Sequence, residues 1–159
     1  FVNSDWVEKV EVAPGAIGSY LPYDSQISTR FRSVEGWVDY GEKEYDHGAV
    51  ILEDDYLFNK IGAHFGYENY LNNKTIQVSG YPDDKFGTQW KCNGKVTSEN
   101  NFMIDYDVDS ESGNSGSPIF YSTGSNIYAI GVHSFGKCPN SWIKVNDSVH
   151  QRWNEWSKL

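Results

Sequence analysis

Short apolar and β-branched runs alternate with turn-forming residues along almost the whole chain. Runs of this length, separated by Gly, Asn, Asp and Pro, predict β-strands that build a barrel or a sandwich. The stretch over residues 62–73, rich in Gly, Tyr and Asn, predicts a surface loop. The fold class is therefore all-β. The predicted strands cover residues 7–12, 26–38 (as one or two strands), 49–52, 74–79, 89–97, 102–108, 118–121, 127–134 and 142–145.

A single helix is predicted at the C-terminal end of the chain. Asp147 or Ser148 can cap its first turn, and Val149, Trp153 and Trp156 follow at a spacing that places them near one face. The total of 159 residues suits one domain with its own hydrophobic core.

Charge and hydropathy narrow the classes of partner. The formal net charge is −9, and a surface of that sign repels nucleic-acid phosphates. No stretch is long and apolar enough to span a bilayer. We therefore expect neither a nucleic-acid partner nor a membrane partner.

The two cysteines, Cys92 and Cys138, lack the close spacing of a zinc or redox motif. An even count without such a motif favours a disulfide between them and an oxidising, extracellular compartment. Two free thiols, or a bond from either cysteine to a segment outside residues 1–159, would fit the same sequence.

The run over residues 111–118, Glu-Ser-Gly-Asn-Ser-Gly-Ser-Pro, is the most informative part of the chain. A serine hydroxyl attacks a carbonyl only if a base takes its proton and donors await the oxyanion. Gly113 and Gly116 flank Ser115 and allow a sharp turn there. Ser115 is therefore the candidate nucleophile, and the Gly113 and Ser115 N–H groups are the candidate oxyanion hole. Taken alone, the run also fits an ordinary Gly/Ser turn.

Two further segments add context to this serine. Asp46 stands just ahead of a short apolar strand, where a carboxylate can be buried and held against an imidazole, although turn aspartates are common. Residues 130–136, Ile-Gly-Val-His-Ser-Phe-Gly, read as a strand that ends in an aromatic residue and a glycine.

Together these motifs resemble the glutamyl-endopeptidase branch of the chymotrypsin-like serine proteases, the staphylococcal and bacillary enzymes. The resemblance covers nearly the whole chain. Besides the segments around Asp46, Ser115 and His133, it includes residues 79–85 (Ser-Gly-Tyr-Pro-Asp-Asp-Lys), 88–90 (Thr-Gln-Trp), 94–96 (Gly-Lys-Val) and 106–109 (Tyr-Asp-Val-Asp).

The resemblance implies a chymotrypsin-like double β-barrel with the active site between the barrels. Residues 1–159 would form one trypsin-like peptidase domain that lacks its first strands. Residues 1–75 would belong to an incomplete N-terminal barrel, 76–146 to the C-terminal barrel and 147–159 to the helix.

The resemblance also implies residue roles. Ser115 matches the nucleophile, Asp46 the triad acid, and the Gly113 and Ser115 amides the oxyanion hole. The substrate backbone would pair by strand addition with Ser134, Phe135 and Gly136. This chemistry needs no metal and no organic cofactor.

The catalytic histidine has no match in this chain. The family orders its triad His, Asp, Ser, and none of the four histidines precedes Asp46. His47 is adjacent to Asp46, and neighbours on a strand point to opposite faces, so we do not expect that pair to hydrogen-bond. We expect the base on a second chain or on an N-terminal segment outside residues 1–159.

The specificity pocket carries conflicting signals. By resemblance, His133 and Ser110 match the two groups that contact the carboxylate of a P1 glutamate. Asp109 falls where trypsin-type enzymes place the acid that binds lysine or arginine. Without any role in substrate binding, His133 would be a core histidine and Asp109 an ordinary loop aspartate.

The sequence therefore predicts a secreted serine endopeptidase that cleaves peptide or protein substrates after acidic P1 residues through an acyl-enzyme. Three alternatives stay open at this point. They are an active enzyme that cleaves after Lys or Arg, a catalytically inactive relative that binds a protein partner, and an unrelated β-sandwich whose motifs match by accident.

Overall fold

A computed structural model describes residues 6–69, 75–136 and 140–159. Within those ranges the chain is mostly β, with short helices. The strands are β1 Val10–Val12, β2 Gln26–Ser28, β3 Phe31–Ser33, β4 Gly48–Val50, β5 Gly66–Tyr67, β6 Ile76–Gly80, β7 Trp90–Gly94, β8 Val96–Glu99, β9 Met103–Tyr106, β10 Pro118–Thr123, β11 Asn126–Phe135 and β12 Asn140–Lys144. The helices are α1 Glu35–Val38, α2 Tyr56–Ile61 and α3 Asp147–Trp156, with single 3₁₀ turns at Lys43–Tyr45 and Asp83–Lys85.

The second half of the chain forms one large sheet. Its strand order is β7-β6-β10-β11-β12-β9-β8, with β5 added parallel to β11 and the other pairs antiparallel. The two outer strands, β7 and β8, are consecutive segments separated by Lys95 alone. The region predicted as a single strand, residues 89–97, is therefore a bent strand that pairs with β6 at one end and with β9 at the other. This bend closes the sheet into a barrel.

The interior of this barrel is the hydrophobic core of the protein. Residues that alternate along β6 and β9 point inward, as the period of a strand requires, and burying such side chains supplies most of the driving force for folding. The buried cluster comprises Ile76, Val78, Ile104, Tyr106, Val108, Ile119, Tyr121, Ile130 and Trp142.

The first half of the chain forms two separate two-stranded sheets. Strand β1 pairs with β2, and β3 pairs with β4, in both cases antiparallel. The Ser28 hydroxyl donates to the backbone oxygen of Ile51 at 2.6 Å and so links the two sheets. Few described residues of this half are buried apolar side chains; Val34 and Leu57 are two of them. The described part of this half does not close into a barrel. This agrees with the incomplete N-terminal barrel expected from the sequence.

Two short helices form in addition to the predicted C-terminal helix. Residues 35–38, predicted as strand, form the one-turn helix α1, and residues 56–61 form α2, which ends at Gly62 with φ +69°. Both helices are too short to show the 3.6-residue periodicity that would identify them in the sequence. Strand β5 also lies inside the predicted loop over residues 62–73, since it completes the sheet beside β11. Residues 70–74 lie outside the described ranges.

The C-terminal helix α3 forms where it was predicted, but with a different cap. Asn146 caps it, because its side-chain oxygen accepts a hydrogen bond of 3.0 Å from the Val149 N–H. Val149 is buried, and Trp153 and Trp156 are half-buried on the same side. Among the described residues, no helix has both the length and the apolar character that crossing a bilayer requires.

Candidate active site

The loop that carries Ser115 is anchored to strand β11 by its backbone. The Gly116 N–H donates to the His133 oxygen at 2.8 Å, and the His133 N–H donates to the Ser117 oxygen at 2.9 Å. These two bonds extend the β10–β11 ladder into the loop. Ser115 itself stays exposed at the turn, so its hydroxyl is presented to solvent from a rigid base.

Between residues 113 and 117, two backbone N–H groups have no acceptor among the described residues. The N–H groups of Asn114 and Ser117 donate to the Glu111 and Asn114 oxygens at 3.2 and 3.0 Å. Those of Gly113 and Ser115 donate to no group in the described part of the chain. They are the two amides that the sequence assigned to an oxyanion hole, and the turn leaves them available for a negatively charged oxygen.

Gly113 is required by the turn. Its φ is +90°, a conformation that favours glycine. A Cβ at this position would lie 2.5 Å from Asp83 Oδ1 and 2.7 Å from the Tyr81 oxygen. The Asp83 N–H also donates to the Ser112 oxygen at 2.8 Å. The segment after β6 thus packs against the nucleophile loop and holds its shape.

Asp46 follows the 3₁₀ turn at Lys43–Tyr45 and precedes β4. The Ser134 hydroxyl on β11 donates a hydrogen bond to Asp46 Oδ2. Asp46, Ser115 and Ser134 line one cleft of about 470 Å³ between the two N-terminal two-stranded sheets and the barrel. A cleft of that volume has room for an imidazole ring. The other residues lining the cleft are Trp6, Val7, Phe31, Arg32, Ser33, Trp37, His47, Gly48, Ala49, Val50, Gly116, Val132 and His133.

No histidine of the chain hydrogen-bonds to Ser115 or Asp46 in the described structure. His47, the sequence neighbour of Asp46, is 5% exposed, and neither of its ring nitrogens has a partner among the described residues. Burial, and secondarily the charge of Arg152 on α3, lower the pKa of His47 to about 4. His47 is therefore a neutral, buried ring that packs near Trp156, with ring centroids 6.3 Å apart.

His133 lies inside the barrel wall and contacts two polar side chains. Its Nδ1 hydrogen-bonds to the Tyr106 hydroxyl, and its Nε2 lies 2.8 Å from Ser110 Oγ. Burial lowers the pKa of His133 and raises that of Tyr106. Sequence reasoning singled out His133 and Ser110 but missed Tyr106. The available signal was alternation, since Ile104 and Tyr106 are the inward-facing residues of β9.

Asp109 lies on a different depression from the one that holds Ser115 and Asp46. This second depression, of about 360 Å³, also includes Ser110, Lys85, Lys91 and Cys92. Asp109 is exposed and makes no hydrogen bond or ion pair with any described residue. The structure therefore places Asp109 and Ser110 together outside the cleft, and Ser110 is linked to the cleft wall through its hydrogen bond with His133.

The remaining candidate residues lie at the end of β11 and on β7. Phe135 pairs with Ser141 of β12, and Gly136 follows it in an exposed position. Cys92 is exposed on β7, whereas Cys138 falls outside the described residues. The disulfide between Cys92 and Cys138 stays a prediction.

The described side chains do not form a metal site. Across residues 6–69, 75–136 and 140–159, no group of three or more His, Cys, Asp or Glu side chains is arranged to hold a metal ion.

Comparison with known sequences finds the family model described as Trypsin, which matches residues 46–156. The chain is 37% identical to the glutamyl endopeptidase of Bacillus licheniformis, over 91% of the chain and 49% of that protein. It is 31% identical to a protein of Bacillus subtilis named extracellular metalloprotease, over 96% of the chain and 50% of that protein. The chain thus spans about half the length of these curated relatives.

Comparison with solved structures finds similar folds. A Glu endopeptidase in complex with MPD superposes with a TM-score of 0.84 at 28% identity, over 95% of this chain and 73% of the other. A thermostable serine protease from an extremophilic microorganism gives a TM-score of 0.80 over 94% of this chain and 75% of the other. Its identity is 18%, so that likeness concerns the fold alone.

Proposed function

The chain belongs to the trypsin family of chymotrypsin-like serine proteases, and from this premise we propose that it is the nucleophile-bearing part of a secreted endopeptidase that cleaves after acidic P1 residues. The chymotrypsin-like fold expected from the sequence is confirmed by the superposition on the Glu endopeptidase structure. The domain boundaries at residues 75 and 146 remain part of the proposal.

The proposed reaction is acyl transfer to Ser115. Ser115 Oγ attacks the scissile carbonyl while a histidine base takes its proton, and the Gly113 and Ser115 amides stabilise the oxyanion. The base then protonates the leaving amine, so that the peptide bond breaks and an acyl-Ser115 remains. A water molecule, deprotonated by the same base, releases the acid. Asp46 orients the imidazole throughout.

The histidine base is proposed to come from a segment outside residues 1–159, either a second chain or an N-terminal segment. The four histidines of this chain make no hydrogen bond with Ser115 or Asp46 in the described structure. The cleft between those two side chains is open and about 470 Å³ in volume. An imidazole that enters it would lie next to both catalytic side chains.

One observation carries the proposal. The exposed Ser115 and the carboxylate of Asp46 line the same cleft, and the only two loop amides without acceptors among residues 113–117 are those of Gly113 and Ser115. Both residues are exposed, and the two amides are therefore free to donate to a substrate oxygen. The cluster of nucleophile, acid and unpaired donors supports acyl-transfer chemistry.

The contacts of His133 and the position of Asp109 bear on the P1 preference. His133 and Ser110 are hydrogen-bonded together beside the nucleophile loop, and a hydroxyl there can donate to a carboxylate. Neither Ser110 nor Asp109 lines the cleft with Ser115, but Ser110 hydrogen-bonds to His133 at the cleft wall and Asp109 does not. The His133–Ser110 pair supports glutamate at P1 over lysine or arginine, as does the name of the Bacillus licheniformis relative.

Secretion is proposed from the two cysteines and from the name of the Bacillus subtilis relative, which is called extracellular. The proposed partners are a peptide or protein substrate and the segment that supplies the base.

An active-site probe tests the proposed activity. A fluorophosphonate should label Ser115 in the full-length protein, and Ser115→Ala should abolish both labelling and peptide cleavage. Ser112→Ala is the matched control, because Ser112 is exposed on the same loop but its hydroxyl has no assigned role. If the wild-type full-length protein is not labelled, the chain is an inactive relative that binds a protein partner.

A further inference from the structure

Three side chains form a hydrogen-bonded series from the barrel core to the nucleophile loop. Tyr106 on β9 is 0% exposed, and its hydroxyl contacts Nδ1 of His133, which is 2% exposed. Nε2 of His133 lies 2.8 Å from Oγ of Ser110, a half-buried residue on the loop that leads to Ser115. The positions of the protons in this series follow from counting donors and acceptors.

Tyr106 must be the donor at the buried end. A phenol carries one O–H, and within the described structure the Tyr106 hydroxyl has no partner except His133 Nδ1. If Nδ1 carried the proton, the Tyr106 O–H would point at no acceptor inside the barrel. A fully buried donor without an acceptor is strongly disfavoured, so Tyr106 donates to Nδ1.

The proton of His133 is consequently on Nε2. A neutral imidazole has one N–H, and Nδ1 already accepts. The Nε2–H then donates to Ser110 Oγ, the one group within reach of it in the described part of the chain. The hydroxyl proton of Ser110 therefore points away from His133, and it has no acceptor among the described residues.

Building on the proposed function, we propose that Tyr106 is a positioning residue for P1 selection: it holds His133 in the Nε2–H tautomer, so that Ser110 must turn its hydroxyl proton toward the side-chain carboxylate of a P1 glutamate. Tyr106 never touches the substrate. It acts through His133, and Ser110 makes the contact.

The electrostatics of the series agree with this direction. Burial lowers the pKa of His133 and raises that of Tyr106, so both groups are uncharged at neutral pH. The donor offered to the substrate is thus a neutral hydroxyl. A hydroxyl bonds more strongly to a carboxylate than to an amide oxygen, which separates glutamate from glutamine at P1.

Loss of the Tyr106 hydroxyl should release the tautomer. In Tyr106→Phe, neither tautomer gives the buried Nδ1 a partner, so the preference for Nε2–H that Tyr106 imposed is lost. In the molecules that carry the proton on Nδ1, Nε2 accepts the Ser110 hydroxyl, which turns away from the substrate. Ser110→Ala removes the final donor directly and should change P1 selection in the same direction and by more.

The kinetic test uses the full-length protein and two peptides that differ only at P1, with Glu or Gln. Ser110→Ala should lower the Glu-to-Gln ratio of kcat/KM by about tenfold, and Tyr106→Phe should lower it by about twofold or more, in both cases mainly through KM for the Glu peptide. Tyr128→Phe is the matched control. It removes a hydroxyl from a tyrosine that packs against the same core but does not contact His133, so the ratio should stay at the wild-type value.

The spectroscopic test reads the tautomer in the wild-type protein and does not depend on the folding of Tyr106→Phe. Imidazole ¹⁵N shifts of the wild-type full-length protein, assigned with the help of single histidine substitutions, should report His133 as Nε2–H. A Nδ1–H tautomer in the wild type, or an unchanged Glu-to-Gln ratio in a folded Tyr106→Phe, would overturn the role of Tyr106. A wild type that cleaves after Lys or Arg instead would overturn the proposed P1 preference, and the tautomer measurement would still decide the direction of the hydrogen bonds.

Discussion

The Ser134 hydroxyl donates a hydrogen bond to Asp46 Oδ2 and so joins two side chains that lie 88 residues apart in the sequence. Asp46 lies just before β4 in the N-terminal half, and Ser134 belongs to the barrel. This bond fixes the carboxylate relative to the loop of Ser115, which is itself tied to β11 through His133 and Gly116. Strand β11 thus helps to hold both Asp46 and the loop of Ser115 in place.

Removing this bond should impair catalysis without unfolding the protein. In Ser134→Ala, Asp46 loses its described hydrogen-bond donor, and kcat/KM should fall by about tenfold. Ser141→Ala is a suitable control, since it removes a comparable serine–aspartate bond of 2.5 Å to Asp105 that does not involve Asp46. Equal kinetics for the Ser134 variant and the wild type would show that Asp46 needs no support from β11.

A side chain at Gly113 should damage the oxyanion site. Gly113→Ala places a Cβ 2.5 Å from Asp83 Oδ1 at φ +90°, so the turn must shift and move the two unpaired amides. We expect kcat to fall about 10²- to 10³-fold, the loss typical of removing one oxyanion donor. Gly124→Ala has a positive φ of +59° but open space, and it should lower stability while leaving kcat near the wild-type value. Similar kcat losses in both variants would argue for a general effect of backbone strain.

Asp109 should contribute little to P1 selection. It is exposed and lies off the cleft, and surface charges are screened over about 8 Å at physiological salt. Cleavage of matched peptides with Glu, Asp, Lys or Arg at P1 should show faster cleavage after Glu, and Asp109→Asn should change the Glu-to-Lys ratio less than about twofold. Faster cleavage after Lys or Arg that disappears in Asp109→Asn would make Asp109 the specificity residue.

The buried His47 should make stability depend on pH. Its pKa of about 4 in the folded chain lies below the unfolded value of about 6.5, so the unfolded chain binds more protons between these values. Above pH 6.5 the ring is neutral in both the folded and the unfolded chain. As the pH falls toward 4, the unfolded chain takes up a proton that the folded chain does not, and the free energy of unfolding falls by up to about 3 kcal/mol.

Denaturant titrations between pH 4 and 7.5 measure this contribution. His47→Leu should flatten the pH dependence because it removes the titrating ring. The variant should still fold, since the two ring nitrogens have no described partners to lose. His64→Gln is the control at an exposed histidine and should preserve the slope. A His47→Leu curve parallel to the wild type would mean that another group titrates.

The Cys92–Cys138 disulfide remains to be tested chemically. Peptide mapping under non-reducing conditions should recover the two cysteines in one linked pair, and Cys92→Ser should lower the free energy of unfolding by about 2–4 kcal/mol. Two alkylatable thiols in the native protein, or a bond from Cys92 to another segment, would refute the pairing.

The sequence by itself determined the class of fold and indicated Ser115 as the candidate nucleophile. Alternation of apolar and polar residues is a local property of a strand, so β6, β9, β10, β11 and β12 fall on or close to their predicted ranges. The glycines around Ser115 indicate a sharp turn because glycine readily adopts the positive φ values that such turns require. Helix α3 was likewise predictable, since its apolar spacing and its polar start are local.

Only the tertiary structure decided how the site is assembled. Which of the many serines meets Asp46, why Tyr106 rather than another tyrosine contacts His133, and why Asp109 lies off the cleft all depend on strand register and on the closure of the barrel at Lys95. The short helices α1 and α2 were missed for a related reason. One or two turns carry too little periodicity, and packing rather than intrinsic propensity stabilises them. Long-range pairing is set by the summed burial of the whole core, which no local pattern records.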